Sequence, residues 1–313
     1  MIAQRAAALG RDLVGPRYVW STIRRFAWPD VAPSLDRPEE HGLSPEAFTV
    51  RTADGVDIRG WVLAPGAAGA AGAPGAPEAV VILCHGRNAN KSRLLHHMAL
   101  LHRAGFAAVA FDFRGCGTSD PPRRRWYNSM WEPLRDLEAV ARLVEGRFGA
   151  RPVALFGLSF GGNMAIAHAG TTGRCYAALI LDSTPLIRWG DMLTTVLARE
   201  REGARAPRLR ALCDRLAMAF IVVFTRADAL YRHAQRSATQ LRDTPLLLIL
   251  GEREAFFDPE ASARFVERYY AGPARVWRVA RGRHLTNHIV AAAAYEREVV
   301  SFLRDALTRK EAP

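Results

Sequence analysis

The 313-residue sequence predicts an α/β fold: a mostly parallel, eight-stranded sheet with helices on both faces and an inserted helical cap. Three observations predict it. Short apolar runs of strand length alternate with segments whose apolar residues recur every three or four positions. Most of those runs lack polar alternation, which marks strands buried on both faces of a parallel sheet covered by helices. Between Ser183 and Asp243 the rhythm fails, and a long, arginine-rich, helix-prone stretch replaces it. An insertion over the sheet's carboxyl edge, where ligands bind in open α/β sheets, reads this way.

Residues 1–45 are expected to form a helical N-terminal extension. Leu9, Leu13, Val19, Trp20, Ile23 and Phe26 interleave with Arg5, Arg11, Arg17, Arg24 and Arg25. A basic amphipathic segment of this kind suits a membrane surface or a helix packed on the protein's own body, and the packed reading is preferred. Pro29, Pro33 and Pro38 end any helix there. Phe48–Thr52 and Asp57–Ala64 read as two strands joined by the turn Ala53-Asp54-Gly55. The stretch 65–77 is almost wholly Gly, Ala and Pro and reads as a flexible loop.

Then come a strand at Ala79–Leu83, a helix at Ser92–Arg103 and a strand at Ala107–Phe111. Leu134, Leu137, Ala141, Val144 and Phe148 stripe the next helix. Val153–Phe156, Ala177–Leu181, Leu246–Leu250 and Val276–Ala280 are further buried-type strands. Ala292, Tyr295, Val299 and Phe302 stripe the last helix. The core is therefore expected over 46–185 and 244–313, with the cap at 186–243.

Composition narrows the function. With 49% apolar and 24% charged residues, the chain reads as a soluble globular protein. No apolar run reaches the roughly 18 residues of a membrane span. Arg5, Arg11 and Arg17 interrupt any secretory core, so a cytoplasmic protein is expected, with residues 1–45 as its one segment suited to peripheral membrane contact. Cys84, Cys116, Cys175 and Cys213 form no C-x-x-C pair and read as buried free thiols, not a zinc site or disulfide framework. The net charge of +12 is almost all arginine, since Lys91 and Lys310 are the only lysines. The arginines are scattered and no nucleic-acid-binding motif accompanies them, which argues against nucleic acid as a partner.

The chemistry centres on Gly157-Leu158-Ser159-Phe160-Gly161, placed between the run Val153–Phe156 and the helix-like Gly162–His168. A sharp strand-to-helix turn exposes Ser159 at its apex, and Gly157 and Gly161 avoid a Cβ in the crowded backbone. A serine hydroxyl needs a base, normally a histidine held by a carboxylate. In this architecture acid and histidine follow the serine in that order. His284, in the loop after Val276–Ala280, is the expected base. His168 belongs to the helix of the turn, His233 precedes the acid-bearing strand, and His288 reads as structural. After Leu246–Leu250 and Gly251, Glu254 is the preferred acid, because Asp258 reads as an N-cap ahead of Pro259. Asp258 and Asp182 stand as alternatives. Backbone N–H groups of Phe160 and Arg87 would hold the oxyanion, with His85 a brace. Asp112–Ser119 reads as a structural turn in which Asp112 pairs with Arg114, and 123–127 as a solvated loop. No metal-ligand spacing is present.

Cys84-His85-Gly86, Asp112–Ser119, Gly157–Gly161, Gly251 with Glu254, and Gly282 with His284 together resemble the α/β-hydrolase superfamily. The likeness is to its serine-hydrolase branch of monoglyceride-lipase-like and serine-aminopeptidase-like proteins, and it runs from about residue 48 to 306. One departure is glutamate at the usual aspartate position. The resemblance implies acyl transfer from an ester, thioester or amide to water, with no cofactor and a small-molecule substrate. Ser159 argues against the dehalogenase and epoxide-hydrolase members, which use aspartate there, and against dienelactone-hydrolase-like members, which use cysteine. A peptidase, an aminopeptidase or an acyltransferase with the same three residues is the nearest alternative. A non-catalytic membrane-surface binding protein is the alternative of another class.

Overall fold

All the described strands but the one at Ala178–Asp182 begin or end within two residues of a glycine or a proline. A computed structural model describes residues 15–27, 36–65, 77–122, 129–200 and 207–311. Helix α1 spans Pro16–Ala27. Strands β1 (Glu46–Arg51) and β2 (Asp57–Leu63) follow, then β3 (Val80–Cys84), α2 (Leu95–Arg103) and β4 (Ala107–Phe111). Next come α3 (Pro133–Phe148), β5 (Val153–Leu158), α4 (Phe160–Ala169) and β6 (Ala178–Asp182). Three helices precede the next strand: α5 (Trp189–Glu200), α6 (Pro207–Thr225) and α7 (Ala227–Ala238). The chain closes with β7 (Leu246–Gly251), α8 (Pro259–Tyr269), β8 (Ala274–Val279), α9 (Asn287–Val290) and α10 (Ala292–Glu311).

The eight strands form one sheet in the order β1-β2-β4-β3-β5-β6-β7-β8. The pairs β1–β2 and β2–β4 are antiparallel and every other pair is parallel. Strands β3 to β7 are buried along their whole length, apart from the half-buried Val153 that opens β5. Their alternate residues feed two separate cores, as the two-residue period requires. Val80, Ile82 and Cys84 enter one, with α3, α4, α7 and α8; Val81 and Leu83 enter the other, with α2 and α10. Strand β8 differs from the expectation of a buried strand at Val276–Ala280. It is the sheet's edge, and its outward Arg275 and Arg278 pair with Glu298 and Glu260.

The β1–β2 turn forms as expected, with Gly55 at a positive φ of 81° and its N–H on the Thr52 carbonyl. Asp112 does not pair with Arg114. It takes the ammonium of Lys91 at 2.5 Å and the N–H groups of Lys91 and Thr118, while Arg114 turns to Asp136 and Asp54. One carboxylate beneath the β3–α2 loop thus fastens that loop to the end of β4. The thiols also depart from expectation: Cys84 and Cys213 are buried, Cys116 is partly so and Cys175 is exposed.

The stretch 186–243 is divided. Helix α7 lies on α4, with Leu230, Ala234 and Ala238 in the main core and Ser237 Oγ donating to the Ala167 carbonyl. Helices α5 and α6 share a small core of Leu193, Ala217 and Ile221 with Ile23 of α1. Tyr18 donates to Asp214, and the Arg210 guanidinium stacks 3.7 Å from the Tyr18 ring centre. So α1 is packed on α6, within the described part of the N-terminal extension. Residues 1–14 and 28–35, the loop core 66–76 and the arginine segment 123–127 lie outside the described residues. No described helix is long and apolar enough to cross a membrane.

Candidate active site

Ser159 stands between β5 and α4 at φ 51°, ψ −116°, a conformation that costs a side-chain-bearing residue about 1–3 kcal/mol. The surroundings enforce it. Ser159 N–H donates to the Asp182 carbonyl at 2.8 Å and Gly162 N–H to the Ser159 carbonyl at 3.0 Å. A Cβ on Gly161 would lie 2.1 Å from the Cys84 carbonyl oxygen, and one on Gly157 2.4 Å from Gly162. Both glycines are therefore required by close backbone approach, as their spacing in the sequence suggests.

The histidine arrives from the opposite edge. His284 Nε2 is 3.1 Å from Ser159 Oγ, and His284 Nδ1 is 2.8 Å from Glu254 Oε2. Glu254 is buried, and its other oxygen accepts the N–H groups of Ala255 (2.7 Å) and Phe256 (2.8 Å). With Oε1 so occupied, Oε2 is left to the imidazole. A carboxylate acceptor at Nδ1 puts the ring proton there and leaves the Nε2 lone pair for the serine hydroxyl. The rings of Phe256 and Phe257 flank the imidazole at 4.7 and 6.0 Å and shield it from water.

Two loops make this meeting possible. A Cβ on Gly251 would lie 2.5 Å from the Gly282 carbonyl, and Arg253 N–H donates to that same carbonyl at 2.8 Å. The acid-bearing loop after β7 and the histidine loop after β8 are thus one backbone unit. Arg281 and Leu285 bracket the histidine at positive φ. Leu285 N–H donates to Ser183 Oγ at 3.1 Å, fixing the histidine loop to the end of β6.

The alternative carboxylates are engaged elsewhere. Asp258 caps α8 through Glu260 N–H and pairs with Arg264 at the surface. Asp182 is wholly buried and accepts Ser183 Oγ–H, Asn287 Nδ2–H and Tyr295 O–H. Burial raises its pKa against the pull of those three donors. This network was not foreseen from sequence. Its signal was present in Asn287 and Tyr295, polar groups within an apolar helical pattern.

His85 is buried, accepts Phe113 N–H at Nε2 and lies 2.7 Å from the Gly86 carbonyl through Nδ1, so it braces the loop. Gly86 faces the serine: a Cβ there would be 3.5 Å from Ser159 Cβ. Arg87 follows it, with its guanidinium buried against Met130 Sδ and 5.5 Å from the Trp189 ring centre. Burial lowers its pKa to about 10. Phe160 N–H is the first of α4, one of those a helix leaves without an internal partner, at the positive end of the helix dipole. His168 bonds Glu138 and Tyr176, and His288 packs against His96 and His97, both away from the serine. Among the described residues, no group of three or more His, Cys, Asp or Glu side chains is arranged to hold a metal ion.

A family model described as "Serine aminopeptidase, S33" matches residues 75–218, just under half of the chain. The polyketide transferase grgF of Penicillium is 30% identical over 139 residues, covering 42% of this chain and 44% of its own. An uncharacterized protein of Mycobacterium tuberculosis is 28% identical over 171 residues, covering 53% of this chain and 55% of its own. The chain spans about half the length of the curated relatives it matches. In three dimensions the esterase Pf2001 of Pyrococcus furiosus superposes with a TM-score of 0.70 at 18% identity, over 88% of this chain and 96% of that one.

Proposed function

We propose that this chain, which belongs to the α/β-hydrolase superfamily, hydrolyses carboxylic esters through an acyl-enzyme on Ser159, in the manner of a carboxylesterase or lipase. The observation that carries the reading is the continuous relay from Glu254 through His284 to Ser159, at 2.8 and 3.1 Å. His284 Nε2 takes the hydroxyl proton as Ser159 Oγ attacks the acyl carbon. Glu254 keeps the imidazole in the right tautomer and stabilises its cationic form. Negative charge developing on the acyl oxygen is met by the N–H groups of Phe160, at the N-terminus of α4, and of Arg87, in the loop after β3. His284 then gives its proton to the departing alcohol, and a water activated by the same imidazole releases the acid. No step draws on a cofactor.

A fluorophosphonate probe is expected to label Ser159 and to block hydrolysis of a chromogenic ester. Ser159→Ala should abolish both while melting at the temperature of the parent. Undiminished hydrolysis by that variant would sink the mechanism.

A second reading has its own support, in the likeness to a polyketide transferase. There the acyl-enzyme passes its acyl group to an alcohol or amine instead of water. Product analysis of one ester with and without such acceptors separates the two, and an aminoacyl amide in the same panel tests for peptidase action.

A further inference from the structure

The outward face of α6 takes no part in the relay, yet its chemistry is specific. Leu209, Leu212, Leu216, Phe220 and Val223 recur at spacings of three and four and so form one stripe along the helix. All five are exposed, from 41% at Phe220 to 76% at Val223. Ala217 and Ile221, on the other side of the helix, fill the small core with Ile23 and Leu193. Helix α6 therefore has two apolar faces, and the described residues cover one. A contiguous exposed stripe of this kind marks an interaction surface.

Charge selects the partner. Arg208 and Arg215 border the stripe and are exposed, and the neighbouring α1 exposes Arg17, Trp20 and Arg24. Helix α1 contains no acidic residue. The one acid in α6, Asp214, is buried against Tyr18. We propose that this face of α6, together with the exposed side chains of α1, docks on an anionic phospholipid membrane. The leucines and Phe220 enter the boundary between headgroups and acyl chains, and the arginines meet the anionic headgroups. A second copy of the chain is the poorer occupant. Two-fold pairing of this face sets arginines against arginines, with no exposed acid on either helix to answer them. The surface belongs to the cap beside the relay, since Thr225 of α6 accepts Met130 N–H and Met130 contacts Arg87.

The test uses the full-length protein co-sedimented with vesicles of phosphatidylcholine, alone or mixed with phosphatidylglycerol. Binding to the mixed vesicles is expected, with little to the neutral ones. Leu212→Glu with Leu216→Glu should weaken it at least about tenfold, and Arg208→Gln with Arg215→Gln on the order of tenfold. Fluorophosphonate labelling of Ser159 should stay at the parent rate in both variants. That readout reports the fold and the hydrolytic reading, so a failure there is distinguishable from a failure of docking. Equal sedimentation by parent and leucine variant overturns the proposal. So does absence of binding by the parent, or a dimer in light scattering that the leucine variant dissolves.

Discussion

The sheet's carboxyl edge and the cap above it are built by opposite rules. At the edge, backbone meets backbone: Gly161 lies on Cys84 and Gly251 on Gly282, with no room for a single added carbon. The relay side chains sit on loops rooted in strands whose carboxyl ends are buried or, for His284, tied to such a strand's loop. In the cap, α1, α5 and α6 share a core of four buried apolar residues and leave a longer apolar stripe outside. Gly190, near the start of α5, has nothing within 4 Å of where its Cβ would be. Precision of a few tenths of an ångström is needed where a proton is transferred, and close packing supplies it. A surface that grips a deformable partner needs shape and charge more than position.

The largest effect on the fold expected from breaking this contrast is at Gly161. Gly161→Ala drives a methyl into the Cys84 carbonyl, so the serine turn, the β3 end or both must shift. Overpacking of this kind costs about 1–3 kcal/mol or more, and a displacement of the serine by about 1 Å costs on the order of 100-fold in rate. Both are read together from thermal melts and ester hydrolysis. A variant with parent stability and parent rate would show that the close approach is not real.

The largest effect on rate with the fold left intact is at the acid. Glu254→Gln keeps the shape but removes the charge that holds the imidazole, and kcat should fall by about 10³–10⁴-fold. Asp258→Asn retains a good N-cap for α8 and should change kcat little. The reverse ranking would move the acid to Asp258.

How much of this was legible in the sequence follows the same contrast. Ser159, His284 and Glu254 could be placed because each sits just beyond an apolar run, at a point where glycine announces a turn. The sheet was legible for the same reason: strands β3 to β7 have no polar face to confuse their period. Partners chosen by three-dimensional approach were not legible. Asp112 lies two residues from Arg114, yet Lys91, 21 residues away, is the cation that reaches it. Nothing local separates α7 from the cap helices before it, because an apolar face on α4 and an apolar face on another cap helix look alike in one dimension. The edge character of β8 was visible only in Arg275 and Arg278, two polar positions inside an otherwise apolar run.

A smaller effect separates the edge from the helices that support it. His288 lies against His96 and His97, and burial, with His96 adding a lesser push, lowers its pKa to about 4. The unfolded chain takes up that proton near pH 6.5 and the folded protein only near pH 4. Between those values the unfolded state binds more protons, so stability falls as pH falls. The contribution is at most about 2 kcal/mol once solvent access to the ring is allowed for. His288→Asn should flatten the fall in melting temperature between pH 6.5 and 4. An unchanged slope would assign the acid sensitivity to His96 and His97 instead.

The smallest effect sharpens the comparison most directly, because it repeats the glycine test where packing is loose. Gly190→Ala adds the same methyl as Gly161→Ala, but in a helical turn with open space around it. The alanine restricts the unfolded chain and favours helix, so the protein should gain about 0.5–1 kcal/mol, less the weakening expected within the first turn of a helix. Hydrolysis of a short-chain ester should not change, since Gly190 contributes only a carbonyl to Thr194 and none to the relay. One methyl would then destroy function at the sheet edge and stabilise the cap, a difference of sign that follows from the neighbours alone. A loss of stability at Gly190 as large as at Gly161 would mean that the cap is packed as tightly as the edge.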